Sequence, residues 1–319
     1  MIEVILEKIL LTGATGFVGS AIAKQLVGQG YGVISASRIV SKKNTLLLDL
    51  EKDFEITEQL VGIEYIIHAA ARVHCMNDSK EDEQRYIDTN VTATVDLAKQ
   101  AIQAGIKRFI FISSIKVNGE STMDRKPFSS SDIPSPEDAY GQSKCKAENA
   151  LLDLAKASDM EVVIVRPPLV YGPNVKANFA SLMNLASKPI WLPFGAVNNK
   201  RSFIFVDNLA DFVVHVLKHP LAKNKIWCVS DDNDLSLSQL LSLLIKFSHS
   251  KAVLVKVPPK LIVCLLTFLG RKKVSDRLVG DLQVNILETK NILGWIPPFS
   301  VEESLRKTVL LSDKKKCYE

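Results

Sequence analysis

The sequence lacks closely spaced cysteines and long apolar runs. Its five cysteines, at positions 75, 145, 228, 264 and 317, lie far apart and match no zinc or redox spacing, so we expect reduced, mostly structural thiols and no metal site. The longest apolar run, Leu261 to Leu269, is well short of the roughly 20 residues that a membrane-spanning helix needs. It predicts a buried helix, with contact at a membrane surface as the alternative. A helix that crosses a membrane is not expected.

Strong charge of one sign is also missing. The chain has 40 Lys and Arg against 35 Asp and Glu, a net charge of +5, and the basic residues are scattered, so nucleic acid is not an expected partner. The basic run Lys314 to Lys316 lies in a polar tail and is interpreted as a solvated, frayed terminus. The first residues carry no basic region before their apolar stretch, which argues against a signal peptide and predicts a cytoplasmic location.

Short apolar runs alternate with helical patterns in the first half of the 319 residues. This alternation is typical of βαβ units, and it predicts an α/β fold with a doubly wound parallel (Rossmann) sheet. The predicted strands are Ile9–Leu11, Val33–Ala36, Leu46–Leu48, Tyr65–Ile67, Phe109–Ile112 and Val162–Val165. The predicted helices between them are Phe17–Val27, Val91–Ile102 and Ala147–Leu154.

Prolines interrupt the pattern after Arg166 and predict long, shaped loops. Phe203–Val206 and Ile226–Val229 are predicted to be strands that rejoin the sheet or its edge, and Leu235–Phe247 an amphipathic helix. We therefore expect a dinucleotide-binding domain at 1–175 and 200–231. A smaller, mostly C-terminal substrate-binding lobe would comprise 176–199 and 232–319.

Glycines recur every three residues where the first strand meets the first helix, at Gly13, Gly16 and Gly19. In this context the first glycine permits a tight turn, the second lets backbone approach a pyrophosphate, and the third lets helix and strand pack closely. Thr15, Phe17 and Val18 complete the predicted cofactor loop. A glycine-rich turn without a ligand is the alternative.

The end of the second strand bears on the choice of dinucleotide. It reads Ser37-Arg38, with no carboxylate for a ribose 2′-hydroxyl, and Arg38 could pair with a 2′-phosphate. NADP(H) is therefore favoured and NAD remains possible, unless Arg38 is only a solvated loop residue. Asp49, with Leu50 beside it, is predicted to contact the adenine, although a simple turn would also explain an Asp there.

Tyr140 and Lys144 lie four residues apart at the start of a helical pattern, so both side chains should leave one face. A neighbouring ammonium favours the phenolate, which would bring Tyr140 towards proton exchange at neutral pH. Ser114 ends a buried strand and could hydrogen-bond the reacting oxygen. Taken alone, each feature also fits an ordinary helix surface or strand end.

Together these motifs resemble the extended short-chain dehydrogenase/reductases, particularly the nucleotide-sugar 4-epimerases and 4-ketoreductases. The resemblance spans nearly the whole chain and is carried by the glycine loop, Tyr140, Lys144, His68-Ala69-Ala70-Ala71, Asn90, Arg166 to Pro173, Asn178, Arg201 to Ala210, Arg277 and Leu293-Gly294-Trp295. It implies that Ala69, Ala70 and Pro167 line the cofactor. It also implies that Asn90 supports a water relay near Lys144.

The resemblance also implies a substrate and a partner. Asn178, Arg201 and Arg277 would bind the diphosphate of a nucleotide sugar, since cationic forks orient a pyrophosphate as well as bind it. A homodimer would pair the helices that carry Asn90 and Tyr140.

Three functions stay open. Arg38 favours an NADP(H)-dependent reductase of a 4-keto nucleotide sugar, in which Tyr140 protonates the oxygen at sugar C4. The alternative is a UDP-sugar 4-epimerase with tightly bound NAD. An alternative of another class is a regulator that senses a dinucleotide without catalysis. Lys116 and Asn118 depart from the usual epimerase pattern and are expected to reshape the sugar pocket.

Overall fold

The computed structural model describes residues 6–39, 44–73 and 80–316. Its strands are β1 (Lys8–Thr12), β2 (Gly32–Ser37), β3 (Thr45–Leu47), β4 (Tyr65–His68), β5 (Arg108–Ile112), β6 (Glu161–Arg166), β7 (Leu169–Tyr171), β8 (Trp191–Leu192), β9 (Phe203–Phe205), β10 (Lys225–Cys228) and β11 (Val253–Leu254). Its α-helices are α1 (Phe17–Gly28), α2 (Lys80–Ile87), α3 (Ala93–Gln103), α4 (Ala139–Lys156), α5 (Ala177–Ala186), α6 (Val206–Lys218), α7 (Leu237–Phe247), α8 (Pro259–Phe268), α9 (Lys272–Val279), α10 (Leu287–Leu293) and α11 (Val301–Lys316). Cys75 and Cys317 lie outside the described residues.

Seven parallel strands form the main sheet in the order β10-β6-β5-β4-β1-β2-β3. The strand order reverses between β1 and β4, and ligands of doubly wound sheets bind beyond the carboxyl ends of the strands at such a point. All five residues of β5 are buried, as expected for a strand covered on both faces. The predicted doubly wound α/β fold is confirmed.

Alternate residues of β1 enter two different cores. Ile9 and Leu11 pack with Ile22 of α1 and with α6 on one face. Leu10 points to the other face and packs with α3 and α4, for instance at Leu97 and Leu151. This two-residue period fixes the register of the strand, because a slip of one residue would exchange the two faces.

A third core fills the smaller lobe. Aromatic residues around Tyr171 and Phe179 pack there with leucines of α7 and α11, and two small sheets, β7–β9 and β8–β11, lie in the same part of the chain. Trp295, however, packs on Phe212 of α6 with ring centroids 5.0 Å apart, in the core under the main sheet. The end of the chain thus contributes to both cores, and the domain boundaries stay a prediction.

Two of the expected elements differ in position. Helix α4 begins at Ala139 rather than Ala147, because the Asp138 side chain accepts a hydrogen bond from the Gly141 amide (2.7 Å) and caps the helix eight residues earlier. Strand β9 pairs with β7 instead of rejoining the main sheet, whereas β10 does rejoin it at the edge beside β6.

Two predictions for the C-terminal part of the chain also need correction. The apolar run Leu261 to Leu269 forms α8, but this helix is not buried, since only Ile262 is fully covered and Phe268 is 88 % exposed. One face of α8 packs on the lobe core through Ile262 and Leu266, and its other face is left exposed. Helix α11 continues to Lys316, so the basic run lies in a helix and not in a frayed tail.

Candidate active site

The glycine loop has the close packing that its spacing predicts. Gly13 has a φ of +70°, and a Cβ built there would lie 2.8 Å from the Ala70 amide nitrogen. A Cβ on Gly19 would lie 2.0 Å from the Gly13 carbonyl oxygen. Gly16 precedes α1 and has no side chain with which to cap it, so the first-turn amides are left for an anion. These residues fit a dinucleotide pyrophosphate.

A buried threonine and histidine hold the opposite wall of this cradle. The Thr12 hydroxyl accepts a hydrogen bond from the Ala70 amide (3.1 Å) and contacts His68 Nδ1 (2.8 Å), while His68 Nε2 contacts the Thr94 hydroxyl (3.0 Å). Burial, and secondarily the charge of Lys144, lowers the pKa of His68 to about 3. A neutral His68 therefore ties β1, β4 and α3 together beside Ala69 and Ala70. The sequence motif contained His68 without revealing this role.

The residues predicted to select the dinucleotide lie where the second and third strands end. The Ser37 hydroxyl accepts a hydrogen bond from the Ile39 amide (3.3 Å), and Arg38 is exposed. Asp49 lies after β3, where it accepts a bond from the Glu51 amide (3.2 Å), and Leu50 packs partly into the core. The exposure of Arg38 fits both a residue that binds a ligand and a solvated loop residue.

Helix α4 carries both members of the proton-transfer pair. Lys144 is buried, donates to the Ile112 carbonyl at the end of β5 (2.8 Å), and lies 4.2 Å from the centre of the Phe111 ring. Tyr140, one turn earlier, packs edge-on to Tyr86 with ring centroids 6.3 Å apart. The pair therefore lies at the carboxyl edge of the sheet, where β5 ends.

Burial dominates the protonation of both groups. It lowers the pKa of Lys144 to about 7, against the opposing effect of Glu148. It raises the pKa of Tyr140, and the charge of Asp138 and the neighbouring Tyr86 raise it further. The expected lowering of the Tyr140 pKa by Lys144 is therefore not found in this structure, because desolvation outweighs any attraction between the two side chains.

Ser114 lies at the same edge and is half-buried. Its hydroxyl accepts a hydrogen bond from the Lys116 amide (3.2 Å) and caps a short turn after β5. The Lys116 ammonium contacts Glu120 (2.8 Å) and the capping residue Asp138. This departure from the epimerase pattern thus braces the start of α4, which carries Tyr140, and its effect on the sugar pocket stays a prediction.

Asn90 occupies a single π-helical turn, Asp88–Thr92, between α2 and α3. Such turns are frequent at functional sites. Its side-chain oxygen accepts from the Arg72 amide (2.8 Å), and its amide group donates to the Arg72 carbonyl (3.1 Å) and the Ser143 hydroxyl (3.0 Å). The structure places Asn90 next to α4, one residue from Lys144, where it positions the helix.

A buried ion pair supports the site from behind and was not predicted. Arg166 donates to Glu148 (3.0 Å) and to Asn118 (2.9 Å), and Ser113 donates to the same carboxylate. Arg166 and Glu148 are each only 1 % exposed. Asn118 is therefore part of this cluster, and its effect on the sugar pocket stays a prediction. Glu148 lies one helical turn after Lys144, which is the one sequence signal for it.

The predicted diphosphate residues are brought together in part. Arg201 is largely buried and donates to the Gly280 carbonyl (3.1 Å). Burial lowers its pKa, and the charge of Arg277 lowers it further although Asp281 opposes this. The charge of Arg277 thus acts on Arg201, and the binding of a diphosphate by the two residues stays a prediction. Asn178 lies exposed in the first turn of α5. The Pro167 carbonyl accepts from the Ile115 amide (2.9 Å) beside Ser114.

A glycine cradle at the switch point of a doubly wound sheet, with a tyrosine and a lysine at its edge, defines a nicotinamide-dependent enzyme of the short-chain dehydrogenase/reductase type. The chain belongs to the NAD dependent epimerase/dehydratase family, whose model matches residues 9–229.

Relatives cover almost the whole chain. It is 46% identical over 314 residues to a UDP-glucose 4-epimerase of Vibrio cholerae, covering 95% of this chain and 94% of the relative. A crystal structure of UDP-glucose 4-epimerase with UDP-glucose from Thermotoga maritima has a TM-score of 0.77 at 24% identity and covers 98% of this chain and 100% of that one. A UDP-glucuronic acid 4-epimerase from Bacillus cereus in complex with NAD also has a TM-score of 0.77, at 22% identity, with 98% and 100% covered. These two structures share the fold.

Proposed function

We propose that this protein is a UDP-sugar 4-epimerase. The observation that carries the proposal is the 46% identity, over 95% of the chain, to the Vibrio cholerae UDP-glucose 4-epimerase. It favours the epimerase alternative over the 4-keto reductase that we expected first from Ser37 and Arg38. Because the family is one of enzymes, the non-catalytic sensor loses its support.

The proposed chemistry inverts the configuration at sugar C4 without net oxidation. When bound, NAD would accept the C4 hydrogen with its electron pair and later return it to the other face of the sugar. Tyr140 Oη takes the proton of the C4 hydroxyl during oxidation and gives it back during reduction, and the Ser114 hydroxyl hydrogen-bonds the same oxygen. Lys144 stabilises the phenolate, and its buried carbonyl contact with Ile112 keeps it in place (2.8 Å).

The burial of Tyr140 and Lys144 makes the pair depend on the charge of Lys144. The raised pKa of Tyr140 keeps the free phenol protonated, so the tyrosine needs additional positive charge beside it before it can act as a base. Protonation of Lys144 provides such charge near neutral pH, since its pKa is about 7. We therefore expect activity to depend on the protonated form of Lys144.

We propose NAD as the retained cofactor, held by the cradle of Gly13, Gly16 and Gly19 with Ala69 and Ala70. An epimerase regenerates its cofactor in every turnover, so tight retention costs no activity, whereas a reductase must exchange it. Arg38 would then be a solvated residue at the ribose. The substrate diphosphate would bind between Arg201 and Arg277, with Asn178 as a further predicted contact.

The experiment is incubation of the purified protein with UDP-glucose or UDP-N-acetylglucosamine, followed by separation of the C4 epimers. The proposal predicts an equilibrium mixture of epimers without added cofactor and without change in absorbance of reduced nicotinamide. Tyr140→Phe should remove this activity while leaving the bound nucleotide in place. Absence of any C4 inversion with either sugar would refute the proposal.

Reduction is the second candidate because Ser37 and exposed Arg38 replace the acidic residue that a ribose 2′-hydroxyl would prefer. It predicts stoichiometric NADPH oxidation with a UDP-4-keto sugar and a protein that is purified without nucleotide. Arg38→Ala would then weaken NADPH binding selectively. An equal effect on NADH and NADPH would exclude the phosphate-binding role.

Assembly and location remain predictions. We expect a homodimer that pairs the helices carrying Asn90 and Tyr140, measurable by light scattering, and a cytoplasmic location. Among the described residues, no helix is long and apolar enough to span a membrane.

A further inference from the structure

The outer face of α8 exposes large apolar side chains in a regular helical row. Leu261, Leu265 and Phe268 recur at intervals of four and three residues and are 61 %, 60 % and 88 % exposed. Leu269 follows at 58 %. The opposite face packs into the lobe through Ile262 and Leu266. The helix is therefore apolar on both sides, and only one side is covered by the part of the chain that the structure describes.

Basic residues frame this row at both ends. Lys260 lies in the first turn of α8 and is exposed, and Lys256 lies just before it. Gly270, with a φ of +69°, ends the helix, and the Arg271 amide donates back to the Leu266 carbonyl (2.7 Å). This tight turn places Arg271 and Lys272, both exposed, directly after Phe268 and Leu269.

The segment that surrounds α8 is basic, and it has more Lys and Arg than the two other long segments without acidic residues, 8–48 and 162–206, which have five each. Residues 235–275 contain seven Lys and Arg and no Asp or Glu. Without these seven, the chain's 40 basic residues fall to 33, fewer than its 35 acidic ones. The segment that carries the exposed apolar row therefore adds seven positive charges and no negative ones.

We propose that α8 docks this protein on an anionic membrane surface. A helix with an apolar face and flanking lysines and arginines lies in the plane of a bilayer interface, with its apolar side chains at the acyl boundary and its cations at anionic headgroups. The ten residues of α8 suit this peripheral position and not a span. An apolar protein partner would match Phe268 and the leucines, but it would not account for the exposed lysines and arginine at the two ends of the row.

The two short strands β8 and β11 also expose apolar side chains. Trp191 of β8 is 79 % exposed and pairs with Val253 of β11, which leads into α8. Tryptophan is enriched at membrane interfaces because its ring is apolar and its N–H is polar. The inference is independent of the proposed epimerase activity, since none of these residues belongs to the candidate active site.

The experiment is co-sedimentation of the full chain with vesicles of phosphatidylcholine that contain phosphatidylglycerol, compared with pure phosphatidylcholine. Binding is expected only to the anionic vesicles and should weaken as salt is added. Leu265→Ser with Phe268→Ser should reduce binding about tenfold or more, because buried apolar area and charge act together. Ile133→Ser is the matched control, since Ile133 is equally exposed elsewhere (88 %) and should not affect binding.

A charge-reversal pair tests the basic frame. Arg271→Glu with Lys272→Glu should abolish vesicle binding, whereas Lys24→Glu with Lys156→Glu, which changes net charge equally, should leave most of it. Thermal melting and enzymatic turnover of a soluble substrate should stay at wild-type values for all variants, so a folding defect is recognised. The proposal would be overturned by equal binding to both vesicle types or by unchanged binding of the α8 variants. A smaller oligomer for Leu265→Ser with Phe268→Ser would also overturn it, because the apolar row would then bind a second copy of this chain.

Discussion

Replacement of Lys144 by methionine should abolish activity and yet stabilise the protein at acidic pH. The side chain is buried, and burial lowers its pKa from 10.5 to about 7, so the folded protein disfavours the ammonium. Methionine has a similar length and no charge. The change would therefore remove a desolvation cost together with the group that stabilises the Tyr140 phenolate.

The size of the effect follows from the pKa of Lys144. A shift from 10.5 to about 7 corresponds to on the order of 5 kcal/mol between the two protonation states. The loss of the hydrogen bond to Ile112 and the loss of the contact with the Phe111 ring would each reduce this gain in stability by about 1 kcal/mol. We expect Lys144→Met to be about 3 kcal/mol more stable than the wild type near pH 6.

The sign of the pH dependence is also fixed. Below pH 7 both folded and unfolded chains hold the Lys144 proton, and the cost of the buried ammonium is fully present. Between about pH 7 and pH 10 only the unfolded chain holds it, so the free energy of unfolding of the wild type rises with pH relative to the variant. The advantage of Lys144→Met should therefore shrink by about 1.4 kcal/mol per pH unit in this interval.

Urea unfolding followed by circular dichroism at several pH values measures this difference, with the nucleotide content of both preparations matched. Lys146→Met, an exposed position on the same helix, is the control and should show no pH-dependent difference. A Lys144→Met protein less stable than the wild type by the same amount at every pH would refute the reasoning. In that case the ammonium would stabilise the fold through its contacts.

Three further substitutions test the cradle, the support and the substrate site. Gly19→Ala would place a Cβ 2.0 Å from the Gly13 carbonyl, so the purified protein should lose bound nucleotide, as measured by its absorbance after denaturation. Glu148→Gln would leave the buried Arg166 charge unpaired and should lower the free energy of unfolding by about 3 kcal/mol in urea titrations. Arg277→Met should raise the KM for a UDP-sugar about tenfold with little change in kcat, because the diphosphate lies remote from the reacting carbon.

Each has a matched control. Gly28→Ala places its Cβ in open space at the end of α1 and should keep the nucleotide. Glu302→Gln breaks an exposed ion pair with Lys246 and should change stability by less than about 1 kcal/mol. Arg306→Met removes an exposed cation on α11 and should leave KM unchanged. A similar response of control and test variant would contradict the corresponding prediction.

The sheet and its cradle were predictable because their signals are local. Strands are predicted by the apolar runs around Ile9 and Phe109, and the turn and the start of the helix are predicted by the glycines from Gly13 to Gly19. The start of α4 was missed by eight residues because it depends on the Asp138 cap and not on apolar periodicity.

Long-range contacts could not be predicted from one sequence. His68 forms hydrogen bonds with Thr12 and Thr94, and Glu148 pairs with Arg166, across 18 to 56 positions in the chain. The exposure of α8 likewise depends on how much of the lobe core other helices have filled. The same apolar run would be buried in a lobe with room for both of its faces.

The most direct test of the central claim is to incubate the purified protein with UDP-glucose, and separately with UDP-N-acetylglucosamine, without added cofactor, and to follow the C4 proton of the sugar by nuclear magnetic resonance. UDP-glucose should yield UDP-galactose, and UDP-N-acetylglucosamine should yield its C4 epimer, until equilibrium is reached. The nicotinamide absorbance should stay constant, and Tyr140→Phe should prevent both conversions. Turnover that requires NADPH and consumes it in proportion to product would contradict the account.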